Sequence, residues 1–165
     1  MEYVLDSNFF IEAHRKTYPL DVAQGFWLKL KELADLGVVV SIDKVRDELY
    51  DKNDALEKWC KANLPLGFFK DSSVVIAEYA TVVSWAPTRI PPYMQSALND
   101  FMDADRADAF LVAYALAASA QRTLVTQEVS SPGKVNIIKI PDSCDALGVR
   151  YLTTIEMFRD IGATF

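Results

Sequence analysis

Glu2-Tyr3-Val4-Leu5-Asp6-Ser7-Asn8-Phe9-Phe10-Ile11-Glu12 is the stretch on which the fold turns. Tyr3, Val4 and Leu5 form a short apolar run, as in a strand buried on both faces of a sheet. The run stops at Asp6, and the residues after it are good helix starters. An acid at the carboxyl end of a strand, where a helix begins, is a usual place for chemistry in an open α/β sheet. Asp6 has a second reading. Aspartate is a favoured N-cap, and its carboxylate would accept from a backbone N–H two or three residues on. What separates the two readings is whether other acids converge on Asp6.

The chain has 165 residues, enough to bury a sizeable core in a single domain spanning 1–165. Apolar residues make up 51% and aromatic residues 12%, which excludes a disordered chain. No apolar run is long enough to span a bilayer, and the N-terminus does not read as a secretory signal. Cys60 and Cys144 make neither a disulfide framework nor a zinc site, and are expected to be buried thiols in a reducing cytoplasm. The net charge of −6 argues against broad nucleic-acid binding through a basic surface. It leaves room for an acidic pocket in which bound cations supply the positive charge.

The pattern predicts strands at 3–6, 38–40, 123–126 and 135–140. It predicts helices from 7 or 8 to about 14, then over 21–36, 41–51, 54–63, 74–85, 94–102, 103–120 and 153–160. Val22, Phe26, Leu30, Leu33 and Ala34 recur at helical spacing, and Gly37 follows as a C-terminal cap. Residues 74–85 are apolar on most sides and read as a buried helix, with a strand as the alternative. Strands alternating with helices imply an α/β fold with a mainly parallel sheet covered on both faces.

Acids recur where strands stop or helices start. Glu48 follows the second strand, beside the buried face marked by Val45 and Leu49. Its plain reading is a surface acid paired with Lys44 or Lys52, each four residues away. Asp105 and Asp108 precede an apolar helical run. They are either a cap with its third helical residue or two carboxylates at the mouth of a pocket. Asp108 touches the apolar run, so it needs a partner for its charge. Glu128 follows the third strand. In a parallel sheet these strand ends share one edge, where several carboxylates repel one another unless a hard divalent cation joins them. Oxygen ligands of this kind suit Mg²⁺ or Mn²⁺, and such a site activates water for attack on a phosphodiester. His14 is the only histidine, so a zinc site or a Ser-His-Asp triad has little support, and it reads as a helix-end surface residue.

The order Val4-Leu5-Asp6-Ser7-Asn8, Val45-Arg46-Asp47-Glu48-Leu49, Asp108-Ala109-Phe110-Leu111-Val112-Ala113-Tyr114-Ala115 and Leu124-Val125-Thr126-Gln127-Glu128 resembles the PIN-domain family of ribonucleases, which includes VapC-like toxins. The tail, with Lys139-Ile140-Pro141 and a final helix, is more similar to a little-characterised PIN-like subgroup of unknown function. The resemblance implies a three-layer α/β/α sandwich around a parallel sheet of four or five strands. It implies catalysis by Asp6, Glu48 and Asp108 on bound Mg²⁺ or Mn²⁺. Ser7, Asn8 and Thr126 would support the ligands or the substrate. The family often has an aspartate where this chain has Glu128; Glu128 would take that fourth metal-ligand position, with Asp105 replacing or supporting it.

By that resemblance the chain is a metal-dependent endoribonuclease, a hydrolase of RNA phosphodiesters and the toxin of a type II toxin–antitoxin pair. Its partners would be RNA, a cognate antitoxin and a second copy in a homodimer, with no membrane. A non-catalytic PIN-like scaffold that binds a protein or RNA is the alternative. An aspartyl-nucleophile phosphatase ranks lower, because such enzymes commonly carry a second aspartate where this chain has Asn8.

Overall fold

A computed structural model describes all residues, 1–165. Five strands form one sheet in the order β3-β2-β1-β4-β5, with every pairing parallel. They are β1 (Glu2–Leu5), β2 (Val39–Ile42), β3 (Phe69–Lys70), β4 (Arg122–Val125) and β5 (Tyr151–Leu152). Helices α1 (Ser7–Glu12) and α2 (Gln24–Asp35) connect β1 to β2, and α3 (Asp43–Leu49) and α4 (Ala55–Asn63) connect β2 to β3. The chain then returns through α5 (Ile76–Trp85), α6 (Gln95–Phe101) and α7 (Asp108–Leu116) to β4. Helix α8 (Ile140–Leu147) leads to β5, and α9 (Thr154–Ile161) follows it. Connections run outward in both directions from β1 and β4, and under the right-handed rule for parallel crossovers this puts helices on both faces. This is the three-layer α/β/α arrangement expected.

β1 and β2 are short and buried because both faces are covered. Helix α7 is apolar all round, and its residues from Ala109 to Ala115 are all buried. A helix of that composition belongs in an interior, and α7 lies between α5, α8 and the sheet. On the other face Phe26 stacks on Tyr18 and meets Phe158 of α9, while Trp27 packs on Trp59 of α4. Helix α2 ends at Gly37, whose φ of +68° favours glycine. Cys60 and Cys144 are free and buried.

Several sequence expectations need correction. Residues 135–140 form no strand. Both edges of β4 are taken, by β1 and β5, so a further β-branched segment has no neighbour there. Pro141 instead sits in the first turn of α8, where its missing N–H costs nothing. The helix expected over 103–120 begins only at Asp108, because residues before it form a turn in which Asp105 N–H donates to Asp103. Helix α5 is helical as expected but not buried: Val82 alone is enclosed, and the helix lies along α7 with Tyr79 stacked on Phe110. Val22 precedes α2 and is 78% exposed. His14 is half-buried, and its Nδ1 is enclosed without a partner.

Asp160 ties the start of β1 to the far edge of the sheet. Tyr3 Oη donates to it at 2.6 Å, and both Arg150 terminal nitrogens donate at 2.9 and 3.0 Å. The Arg150 and Tyr3 hydrogen bonds hold its carboxyl well below the usual range, at about 2. A depressed carboxyl contributes stability that is complete above its ordinary pKa and lost as pH falls through the folded one. Asp160→Asn is therefore expected to lower the urea midpoint at neutral pH. It should also flatten the acid limb between 3.8 and about 2. Parallel pH profiles for wild type and variant would show the network to be inert.

Candidate metal centre

The strand order reverses between β1 and β4, so their carboxyl ends open a crevice at the topological switch point. Asp6 follows β1 and Thr126 follows β4. Thr126 Oγ1 donates to Asp6 Oδ2 at 2.6 Å across that crevice. Asp6 Oδ1 accepts from Phe9 N–H at 2.7 Å and caps α1. The two readings of Asp6 therefore coexist, since it caps a helix and also meets other acids. It is 1% exposed. Burial pushes its carboxyl up to about 7, the charges of Asp108 and Glu128 add to that, and the two hydrogen bonds oppose it.

Asp108 is the first residue of α7. Burial, then the charges of Glu128 and Glu48, push its carboxyl up to about 6 against the opposing pull of Arg106 and Lys139. Glu48 Oε1 accepts from Ala107 N–H at 3.3 Å, at the start of the same helix. It pairs with neither Lys44 nor Lys52: Lys44 lies over the Phe110 ring and Lys52 bonds Asp51. Glu128 Oε2 accepts from Ile140 N–H at 2.8 Å, at the start of α8, and Oε1 lies 3.4 Å from Lys139 Nζ. Three of these acids thus each take a backbone N–H at a helix start. The positive ends of α1, α7 and α8 converge with them and offset part of their charge.

Above this group lies a cleft of ≈ 670 Å³. Ser7, Asn8, Glu48, Asp108, Glu128 and Asp105 line it, so the structure brings all of these expected residues to one opening. Asp6 and Thr126 lie buried below it, bonded to each other. Asp105 is exposed, with its N–H on Asp103. Asp100, Asp103, Arg106 and Asn136 also line the cleft and were missed. The first three sit around the α6–α7 turn, where the sequence reads as solvated surface. Asn136 falls in the segment expected to be a strand.

The donor set is all oxygen, which suits a hard divalent cation. The raised carboxyls of Asp6 and Asp108 mark an electrostatic imbalance that such a cation would offset. No three His, Cys, Asp or Glu side chains form a closed ligand group. Glu48 and Glu128 are turned to backbone N–H groups and would be recruited from those bonds.

A parallel sheet in this order, sandwiched by helices and carrying acids at the switch point, defines a VapC-like PIN fold. The fold is similar to a chain in the crystal structure of VapBC2 from Rickettsia felis bound to a DNA fragment from their promoter. The TM-score is 0.50 at 16% identity, covering 93% of this chain and 98% of that one. The family described as Domain of unknown function (DUF4411) matches residues 3–165, and the chain belongs to that family. No curated protein sequence matches the chain.

The Thr126–Asp6 bond has a measurable consequence. Thr126→Val keeps the shape of the side chain and removes a donor to a buried carboxylate together with the acceptor of Glu128 N–H; the lost donor alone costs about 1–3 kcal/mol. Its denaturant midpoint is expected to fall accordingly with an unchanged slope. An unshifted midpoint would mean that the bond adds nothing to the fold.

Proposed function

We propose that the chain is a Mg²⁺- or Mn²⁺-dependent endoribonuclease that hydrolyses RNA phosphodiesters, acting as one PIN-like domain over 1–165. We further propose a cytoplasmic toxin of a type II toxin–antitoxin pair, with a cognate antitoxin and a homodimeric assembly. The toxin assignment rests on the PIN resemblance. The observation that carries the nuclease reading is the cluster of Asp6, Glu48, Asp108 and Glu128, which feel one another's charge at the carboxyl edge of a parallel sheet.

Asp6, Glu48 and Asp108 would hold the cation, with Glu128 or Asp105 as a further oxygen donor. When bound, the cation supplies activation of water and stabilisation of the charge that develops on the phosphate. Thr126 and Phe9 N–H fix both oxygens of Asp6, so this ligand is held in place before the cation arrives. Ser7 and Asn8 present polar side chains to the cleft and would orient the phosphodiester. Glu48 and Asp108 both meet the start of α7, so their relative placement is set by one helix end.

One feature favours the non-catalytic scaffold: the Glu128 carboxylate already engages Ile140 N–H and Lys139. The phosphatase reading has less support, since Asn8 stands where such enzymes commonly carry a second aspartate.

Asp6→Asn retains an oxygen for Phe9 N–H, and the Thr126 hydroxyl can turn to accept from the new amide. Asp6→Asn and Asp108→Asn are thus each expected to abolish Mg²⁺-dependent RNA cleavage in a folded protein. Full activity in either variant sinks the nuclease reading. Calorimetry with Mn²⁺ should give saturable heat with the wild type and markedly weaker binding with Asp108→Asn. A flat wild-type titration would favour the scaffold.

A further inference from the structure

Beside the acidic cleft lies a second groove of ≈ 440 Å³, and Asn8 and Glu128 line both. The two openings are therefore continuous across these side chains. Their charges differ. Six acids and Arg106 line the first cleft, whereas Lys134 and Lys139 line the second. Glu12 is the second groove's other acid besides Glu128, and Lys16 answers it at 3.1 Å. With Lys16 counted, three lysines stand against two acids here, so on a chain of net charge −6 this patch carries one net positive charge beside a cleft that carries five net negative ones.

The patch stands on a braced loop. Arg89 stacks on Tyr93, and its guanidinium donates to the carbonyls of Pro132 and Lys134. Asp142 accepts from Ser130 Oγ and Ser131 N–H, and Met94 N–H donates to Val135 C=O. Lys134 closes a turn on Ser131, with its N–H on that carbonyl. Lys139 immediately precedes α8, and its ammonium pairs with Glu128 at 3.4 Å. Lys134 and Lys139 thus line one groove from a backbone held at several points. Ser131, also on the groove, adds a hydroxyl.

We propose that this groove is a phosphate-binding subsite, in which Lys134 and Lys139 hold the backbone of a single-stranded RNA beside the phosphodiester in the acidic cleft. The proposal rests on the nuclease reading for its substrate. A strand entering the acidic cleft meets carboxylates on most sides, and its phosphates are repelled there wherever no cation is bound. The adjoining lysines supply the compensating attraction and set the direction in which the strand continues. They are positioning residues, since neither reaches the Asp6–Thr126 pair.

The test is fluorescence anisotropy of a labelled single-stranded oligoribonucleotide over a salt series. It uses the chain carrying Asp108→Asn in Mg²⁺, so that the oligonucleotide survives. Lys134→Ala and Lys139→Ala in that background are each expected to weaken binding several-fold. Each should make the plot of log affinity against log salt shallower by about 0.7, the value of one lost phosphate contact on a single strand. Lys139→Arg should retain both properties, and Lys58→Ala, which lines neither opening, should change nothing. Unchanged slopes in both alanine variants overturn the subsite, as does the absence of salt-dependent RNA binding. If the wild type cleaves no RNA while the lysine effects appear, the nuclease reading falls and the subsite stands.

Discussion

The hydrogen bond from Thr126 Oγ1 to Asp6 Oδ2 joins the two strand ends between which the sheet reverses its winding. In an open parallel sheet the crossovers diverge at that point, so the strand ends there are not roofed by one connection. Something must close the seam between β1 and β4 below the crevice. Here a hydroxyl and a carboxylate do so, where an apolar pair would pack with less cost. Enclosing a carboxylate is unfavourable unless it is hydrogen-bonded. Asp6 has two donors, and its carboxyl is still pushed up to about 7. The fold thus keeps a destabilised acid at its switch point, as is common where a site serves chemistry rather than stability.

The same trade recurs around the cleft. Asp6, Glu48 and Glu128 accept from Phe9, Ala107 and Ile140 N–H groups, at or just before the first turns of three helices. Those N–H groups lack partners within their helices. A carboxylate there satisfies a backbone donor and lies near the positive end of a helix dipole. These interactions lower the cost of gathering the acids, yet Asp108 stays raised to about 6 because Glu128 and Glu48 lie beside it. Helix ends alone do not neutralise the group. A divalent cation, with two charges placed among oxygen donors, would do so.

How much of this could be read from the sequence depended on element length and on neighbours. β1, β2 and β4 were legible because each is an apolar run broken by a polar residue. β3 and β5 were not, since two residues cannot display a period of two. The misread strand at 135–140 has the right residue types, but the place beside β4 goes to β5, a fact of topology that no local pattern carries. Among the acids, Asp6, Glu48, Asp108 and Glu128 stood out because strand ends and helix starts are marked in sequence. Asp100 and Asp103 flank a turn and look like ordinary surface until α6 folds that turn over the cleft. Lys139 was visible as a tail residue, but its place against Glu128 follows from a helix start that the strand reading hid.

The double use of the acids governs how the site can be dissected. Replacing Glu48 or Glu128 by alanine would remove a candidate ligand and also leave Ala107 or Ile140 N–H without its acceptor. A loss of activity in such a variant would confound chemistry with a displaced helix start. Asparagine or glutamine keeps one oxygen for the backbone donor and removes the charge, so the isosteric amides separate the two contributions. The distinction is sharpest at Asp108. It forms the first turn of the most deeply buried helix in the molecule, and its carboxyl is raised chiefly by burial. There an amide relieves the cost of an enclosed charge, so the fold is expected to tolerate the change that a cation-binding site does not.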